Sequence, residues 1–164
     1  MIDRRTLLGG AGAAVATGLL FGGSPGSAAA RFPVTKTPAQ WRAQLGPARY
    51  RILREAGTER AGTSPLNNEH RRGRYVCVAC ANPLFSSSTK FESGTGWPSF
   101  YRALPRAVVT RGPRSDFFGT EILCARCGGH LGHVFNDGPK PTGLRYCMNG
   151  VALKFAPAAA SGPA

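Results

Sequence analysis

The sequence predicts a mainly β fold with short N-terminal helices and a metal site formed by two C-x-x-C turns. Three observations carry that reading. Glycine (22) and proline (13) are spread through 164 residues and leave little room for long helices. After Gly73 the chain breaks into short runs rich in β-branched and aromatic residues, such as "RYVCVAC", "RAVVTR" and "EILC". Such runs, bounded by turn residues, suit strands. Four of the five cysteines form two pairs of equal spacing, "CVAC" and "CARC", the pattern of a zinc knuckle.

Residues 1–30 read as an export signal. Arg4 and Arg5 precede an uncharged run from Thr6 to Gly23, and "SPGSAAA" follows with small residues suited to cleavage after Ala30. The arginine pair before "TLLGG" resembles a twin-arginine signal. A periplasmic or extracellular location is therefore expected. An uncleaved membrane anchor is the alternative, opposed by the glycine-rich character of the run. A folded protein exported by that route carries a metal already loaded, so paired cysteines need not become disulfides outside.

Residues 31–46 form an N-terminal extension. Its first few residues are expected to be an extended tail. Thr37 is a plausible N-cap with Pro38 at the first helical position, which predicts a helix over 38–45 closed by Gly46-Pro47. A second helix is predicted over 48–56, ending at Gly57. The stretch "TERAGTSPLNNEHRRG" reads as loop. The main domain is placed at residues 47–156 and a low-complexity, disordered tail at 157–164. Strands are expected at "RYVCVACA", "RAVVTR", "DFFGTEILC" and "HLGHVFND". "PLFSSSTKFESGTGWPSFY" reads as irregular. "LRYCMNG" and "VALKF" read as a final hairpin turning at Asn149-Gly150.

The pairs Cys77/Cys80 and Cys124/Cys127 are separated by 43 residues, so the intervening strands must fold back to join them. Four thiolates from two tight turns close a tetrahedral zinc site, which holds a fold and leaves no position open for chemistry. Vicinal disulfides and a thioredoxin-like redox motif are the alternatives. No βαβ pattern supports the second.

Cys147 is left over. A lone cysteine is commonly a small buried hydrophobe. Here Arg145 lies two residues away, on the same face of an extended segment, and a cation favours thiolate over thiol. Asn149 shares that face. His130 and His133 follow directly after the second knuckle in "CGGHLGHVFNDGP", and a cysteine with a histidine is a common pairing of nucleophile and acid/base. Trp97, in "SGTGWPSF", offers an aromatic wall suited to a methyl group on sulfur.

These residues occur within a larger ordered set: "GTE", "YVCVAC", "KFESGTGWPSF", "CARCGGHLGHVFNDGP", "RYCMN" and "ALKF". From about Tyr50 to Phe155 the chain closely resembles the B-type methionine sulfoxide reductases, which reduce the R epimer of methionine sulfoxide. The resemblance implies two antiparallel sheets with structural zinc on Cys77, Cys80, Cys124 and Cys127. It implies Cys147 as nucleophile, with His133, His130 and Asn149 around it, and Trp97, Phe135 and Arg145 toward substrate. Oxidised proteins or peptides, and free methionine sulfoxide, are the implied substrates, in the service of protein repair under oxidative stress. Many relatives carry a resolving cysteine where this chain has Thr95. An external thiol, of thioredoxin type or delivered outside the cytoplasm, is therefore expected to reduce oxidised Cys147.

The formal net charge is +13, from 21 Lys+Arg against 8 Asp+Glu. The arginines are scattered and form no recognition stripe on one helix, which favours a solvated basic surface. The competing reading is a zinc-stabilised basic module that binds nucleic acid or an anionic surface. The Cys147 set and the export signal argue against it, so no nucleic-acid partner is expected, and the enzyme is expected to act as a monomer.

Overall fold

A computed structural model describes residues 32–112 and 117–159. The predicted export signal and all but the start of the predicted tail lie outside the described residues. Helix α1 (Pro38–Glu55) carries the capping box that Thr37 and Gln40 allow. Gly46 breaks it with φ 69° and ψ 171°. A Cβ at that residue would meet nothing, so the glycine is needed there for its backbone angle alone. Pro47 then opens the second half as a first-turn residue, and the two predicted helices become one kinked element.

Two antiparallel sheets follow. The smaller has the order β2-β1-β9, with β1 (Gly73–Cys77), β2 (Pro83–Ser86) and β9 (Leu153–Pro157). The larger has the order β3-β4-β8-β7-β6-β5. Its strands are β3 (Lys90–Phe91), β4 (Ser99–Phe100), β5 (Val108–Arg111), β6 (Thr120–Cys124), β7 (His130–Phe135) and β8 (Arg145–Met148). Aromatic rings fill the space between the sheets. Phe85 of the small sheet stacks on Phe100 of the large one at 4.4 Å, and Tyr75 meets the same ring edge-on at 4.8 Å.

Three expectations are corrected. Strands β8 and β9 do not pair. Asn149 leads instead into a 3₁₀ turn (Gly150–Ala152) that carries the chain from the large sheet to the small one, where β9 pairs with β1. Hydrophobic alternation marks both as strands but says nothing of which sheet each joins. The stretch from Pro83 to Tyr101 is not wholly irregular, since it holds β2 and the short pair β3–β4. The residues after Arg31 are anchored: Val34 N–H donates to Arg126 O at 2.9 Å, and the Phe32 ring lies where a Cβ on Gly128 would be. At the other end, Pro157 belongs to β9 and Ala158 N–H donates to Arg72 O.

Helix α1 also braces both cysteine turns. Gln44 Nε2 donates to Ala79 O at 2.7 Å, and Arg54 Nη1 donates to Cys127 O at 2.9 Å while its guanidinium lies 3.8 Å from the Trp41 ring.

Candidate active site

The register of the large sheet places one residue from each strand in a line. Arg111, Glu121, His133, Cys147, Ser99 and Phe91 are successive cross-strand partners. Their neighbours Phe100 and Tyr146 contact Phe85 of the small sheet, so strand alternation turns the line to the opposite face. Cys147 is thus flanked by His133 on β7 and Ser99 on β4, with Cβ separations of about 4.5–5.5 Å for such partners.

Histidines three apart on a regular strand would face opposite ways. Here both reach the same face, because the β6–β7 register slips between Ile122 and Leu123 and leaves Leu131 as an extra residue. The rings of His130 and His133 lie 5.4 Å apart. Gly132 makes the bulge possible. Its φ is +150°, and a Cβ there would lie 2.2 Å from Cys147 O.

His130 is buried at 3% exposure and does not line the cleft. Its Nδ1 lies 2.7 Å from Glu121 Oε1, while its Nε2 has no partner among the described residues. Glu121 also binds Arg111, Nη2 to Oε1 at 2.7 Å. Burial alone would raise the Glu121 carboxyl, but hydrogen bonds from Arg111 and His130 hold it below the usual carboxylate range. Burial, and then the neighbouring His130, push the His133 imidazole below its ordinary value. Both effects favour the free base of His133 over its imidazolium.

A cleft of about 140 Å³ opens over Cys147. Trp97, His133, Phe135 and Asn149 line it, as do the unpredicted Thr58 and Met148. Asn149 is buried and its amide is occupied: Nδ2 donates to Leu131 O at 3.3 Å and Oδ1 accepts from Glu59 N at 2.9 Å. It is a brace behind the cleft as well as part of its wall. Arg145 is also committed. Both its Nε and Nη2 donate to Asp137 at 2.8 Å, and its guanidinium lies 4.3 Å from the Phe135 ring. Asp137 raises the Arg145 guanidinium above its ordinary value, with a smaller favourable contribution from Cys147.

Two acids escape sequence reasoning. Glu121 orients His130. Its only signal is a lone carboxylate in the otherwise apolar "EILC". Glu59 is buried under the site: its carboxylate accepts from Gly150 N and Val151 N, and its carbonyl accepts from Trp97 Nε1 at 3.2 Å. One residue thus ties down the ring at the cleft mouth, the Asn149 amide and the crossover to β9. It sits in a stretch read as loop, and although "GTE" stands in the ordered motif set, nothing there signals this role.

Cys77 and Cys80 leave β1, and Cys124 and Cys127 leave β6, so each sheet supplies two sulfurs. All four lie within 4.8 Å of one another, with Cys77–Cys127 at 3.8 Å and Cys80–Cys124 at 3.6 Å. Disulfide bonding needs about 2.05 Å, and all five cysteines are free. Ligands at about 2.3 Å from a tetrahedral ion lie about 3.8 Å apart. The cluster therefore fits a metal ion. Hydrogen bonding among the sulfurs splits their titrations: contact with Cys77 lowers Cys80 to about 7, and contact with Cys124 raises Cys127 to about 12. A larger open groove of about 760 Å³ crosses the small sheet beside Arg72 and Arg74. His70 and the hydroxyls of Ser86, Ser87 and Ser88 line it, and no cysteine does.

A family model described as the SelR domain matches residues 45–157. A peptide methionine sulfoxide reductase MsrB of Thiobacillus denitrificans is 60% identical over 126 residues, covering 74% of this chain and 94% of that protein. The protein of the same name from Leptospira interrogans is 55% identical, covering 76% of this chain and 96% of its own length. That from Agrobacterium fabrum is 54% identical, over 76% and 93%. On the extent of these matches, this chain belongs to the SelR-domain family, which includes the MsrB peptide methionine sulfoxide reductases.

Proposed function

We propose that this chain reduces methionine-R-sulfoxide, in proteins and free, to methionine, with Cys147 as nucleophile and His133 as proton carrier. The observation that carries the reading is the direct cross-strand pairing of Cys147 with His133 beneath a cleft walled by Trp97. The His133 free base takes the Cys147 proton. The thiolate attacks the sulfoxide sulfur, and the imidazolium returns the proton to the oxygen, a poor leaving group until protonated. The oxygen passes to Cys147. The balance is one thiol and one sulfoxide converted to one sulfenic acid and one thioether, with the cysteine sulfur oxidised by two electrons. Glu121 holds His130 in place, and His130 packs its ring against His133 at 5.4 Å.

Trp97 and Phe135 offer apolar walls for the methyl group, and His133 delivers the proton from one fixed side. Those two constraints support selectivity for a single sulfoxide epimer. Thr95 stands where many relatives have a resolving cysteine, and the other four sulfurs are gathered in the metal cluster. An external thiol, of thioredoxin type, therefore completes the cycle. The cluster geometry favours zinc on Cys77, Cys80, Cys124 and Cys127, where it cross-links the two sheets and takes no part in the chemistry. The twin-arginine-like leader supports action outside the cytoplasm. A mature N-terminus at Arg31 in the exported protein is the outcome that checks it.

The test is epimer-resolved turnover with dithiothreitol as reductant. Wild type consumes the R and not the S sulfoxide, and Cys147→Ser abolishes turnover with metal content intact. Turnover by Cys147→Ser would end the assignment. Salt-sensitive DNA binding without turnover would instead favour the basic-module reading.

A further inference from the structure

The flank of Cys147 opposite His133 faces Ser99 on β4. It carries three hydroxyls in series. Thr95 Oγ1 lies 3.7 Å from Cys147 Sγ, Ser93 Oγ lies 2.8 Å from Thr95 Oγ1, and Ser99 Oγ lies 2.7 Å from Ser93 Oγ. Ser99 Oγ then donates to Trp97 O at 3.2 Å. Ser99 is buried at 1% exposure. The loop that holds Thr95 is fixed by Gly96 O, which accepts from Gly62 N at 2.7 Å and from Asn67 Nδ2 at 3.0 Å.

Each hydroxyl has one hydrogen to give, so the series points only one way at a time. With Cys147 as a thiol, S–H donates to Thr95, Thr95 to Ser93, Ser93 to Ser99, and Ser99 to the Trp97 carbonyl. Once the thiol proton has gone to His133, the order reverses. Ser99 donates to Ser93, Ser93 to Thr95, and Thr95 to the sulfur anion. The Trp97 carbonyl gives up a neutral hydrogen bond, and a stronger charge-assisted bond forms at the nucleophile. No proton travels along the series and none is lost.

We propose that Thr95, Ser93 and Ser99 form a reversible hydroxyl relay that stabilises the Cys147 thiolate. In this chain Thr95 is a catalytic residue in its own right as well as the replacement of a resolving cysteine. The inference rests on Cys147 being the nucleophile. The charged and titratable groups around that sulfur are His133 and His130 on β7 with Glu121 on β6, Arg145 on β8 with Asp137, and Glu59 beneath. On the β4 side the charged groups of the adjoining β3 segment are Lys90 and Glu92, which pair with each other at 3.1 Å, while the three hydroxyls bond to one another and to the Trp97 carbonyl. The relay therefore acts separately from the charged groups.

The experiment follows the pH dependence of Cys147 alkylation by iodoacetamide in the reduced, metal-loaded full chain, read by mass spectrometry of the Cys147 peptide. Thr95→Val removes the donor at constant shape and moves the midpoint up by about one unit. Thr95→Ser restores it. Ser99→Ala has the opposite sign. It deprives Ser93 of its outward acceptor, leaves the relay pointed at the sulfur, and moves the midpoint down by about half a unit. A purely structural role would shift both variants alike or neither. Opposite signs support the relay, and any other pattern overturns it. If Thr95→Val fails to fold, Ser99→Ala alone decides: a midpoint moved down supports the relay, and one unmoved or moved up overturns it. Retained turnover in Cys147→Ser would defeat the nucleophile assignment instead, so the two failures are distinguishable.

Discussion

Replacing Glu59 should damage this protein more than any feature of its surrounding loop suggests. The Glu59 carboxylate accepts from two backbone donors, Gly150 N and Val151 N. Gly150 is buried and Val151 partly so. Leaving a buried donor unsatisfied costs about 1–3 kcal/mol. Two donors, one with partial access to water, give about 3 kcal/mol for Glu59→Ala. In a domain of this size about 3–4 °C of melting temperature is lost per kcal/mol, so the midpoint should fall by about 10 °C. Glu59→Gln keeps one acceptor oxygen and should lose about half as much. The assay is thermal melting of the metal-loaded protein, followed by near-UV circular dichroism, with reductase turnover measured well below the transition. Turnover should suffer too, since the carboxylate anchors the segment whose backbone holds Trp97 Nε1 and the Asn149 amide. A drop of less than 3 °C in Glu59→Ala, by this reasoning on the order of 1 kcal/mol, would show that the crossover satisfies its donors elsewhere and refute the argument.

Gly132→Ala forces a Cβ against the Cys147 carbonyl and should cost about 3 kcal/mol and most of the activity; a crystal or spectroscopic comparison showing β7 and β8 undisturbed would contradict the bulge argument. His133 is pushed below its ordinary value in the fold, so the unfolded chain binds the extra proton first. Stability contributed by this group is present above about pH 6.5 and is lost as pH falls through the lower folded value; denaturant midpoints between pH 5 and 7 should show that slope, and His133→Gln should flatten it. Stripping the metal with a strong chelator should lower the melting temperature on the order of 20 °C, and an unchanged melt would show that the four sulfurs need no ion.

Much of the site was legible because it is carried by rare residue types. Five cysteines and three histidines leave few combinations, and the C-x-x-C spacing commits four of the five. Strand positions were legible where short runs of β-branched, aromatic and other apolar residues lie between turn residues, as in β1, β6 and β7. What failed depends on pairing in space. The side-chain pattern of β8 and β9 is equally consistent with a hairpin and with two strands in separate sheets. Only the buried Glu59 beneath Gly150 explains why the chain crosses over. The bulge at Leu131 is invisible to periodicity, yet it decides that His130 and His133 share a face. The hydroxyls of Ser93, Thr95 and Ser99 lie in a stretch whose small residues suggested irregularity. Their role comes from a two-residue strand that places Ser99 opposite Cys147.

The sulfur cluster joins the two sheets into one mechanical line. Cys77 sits opposite Leu153 in the small sheet, and five residues lie between Cys147 and Leu153 along the chain. A slip at the cluster is therefore delivered along a short tether to the reactive atom. An oxidant that attacks the cluster is therefore expected to lower sulfoxide reductase activity without reaching the cleft.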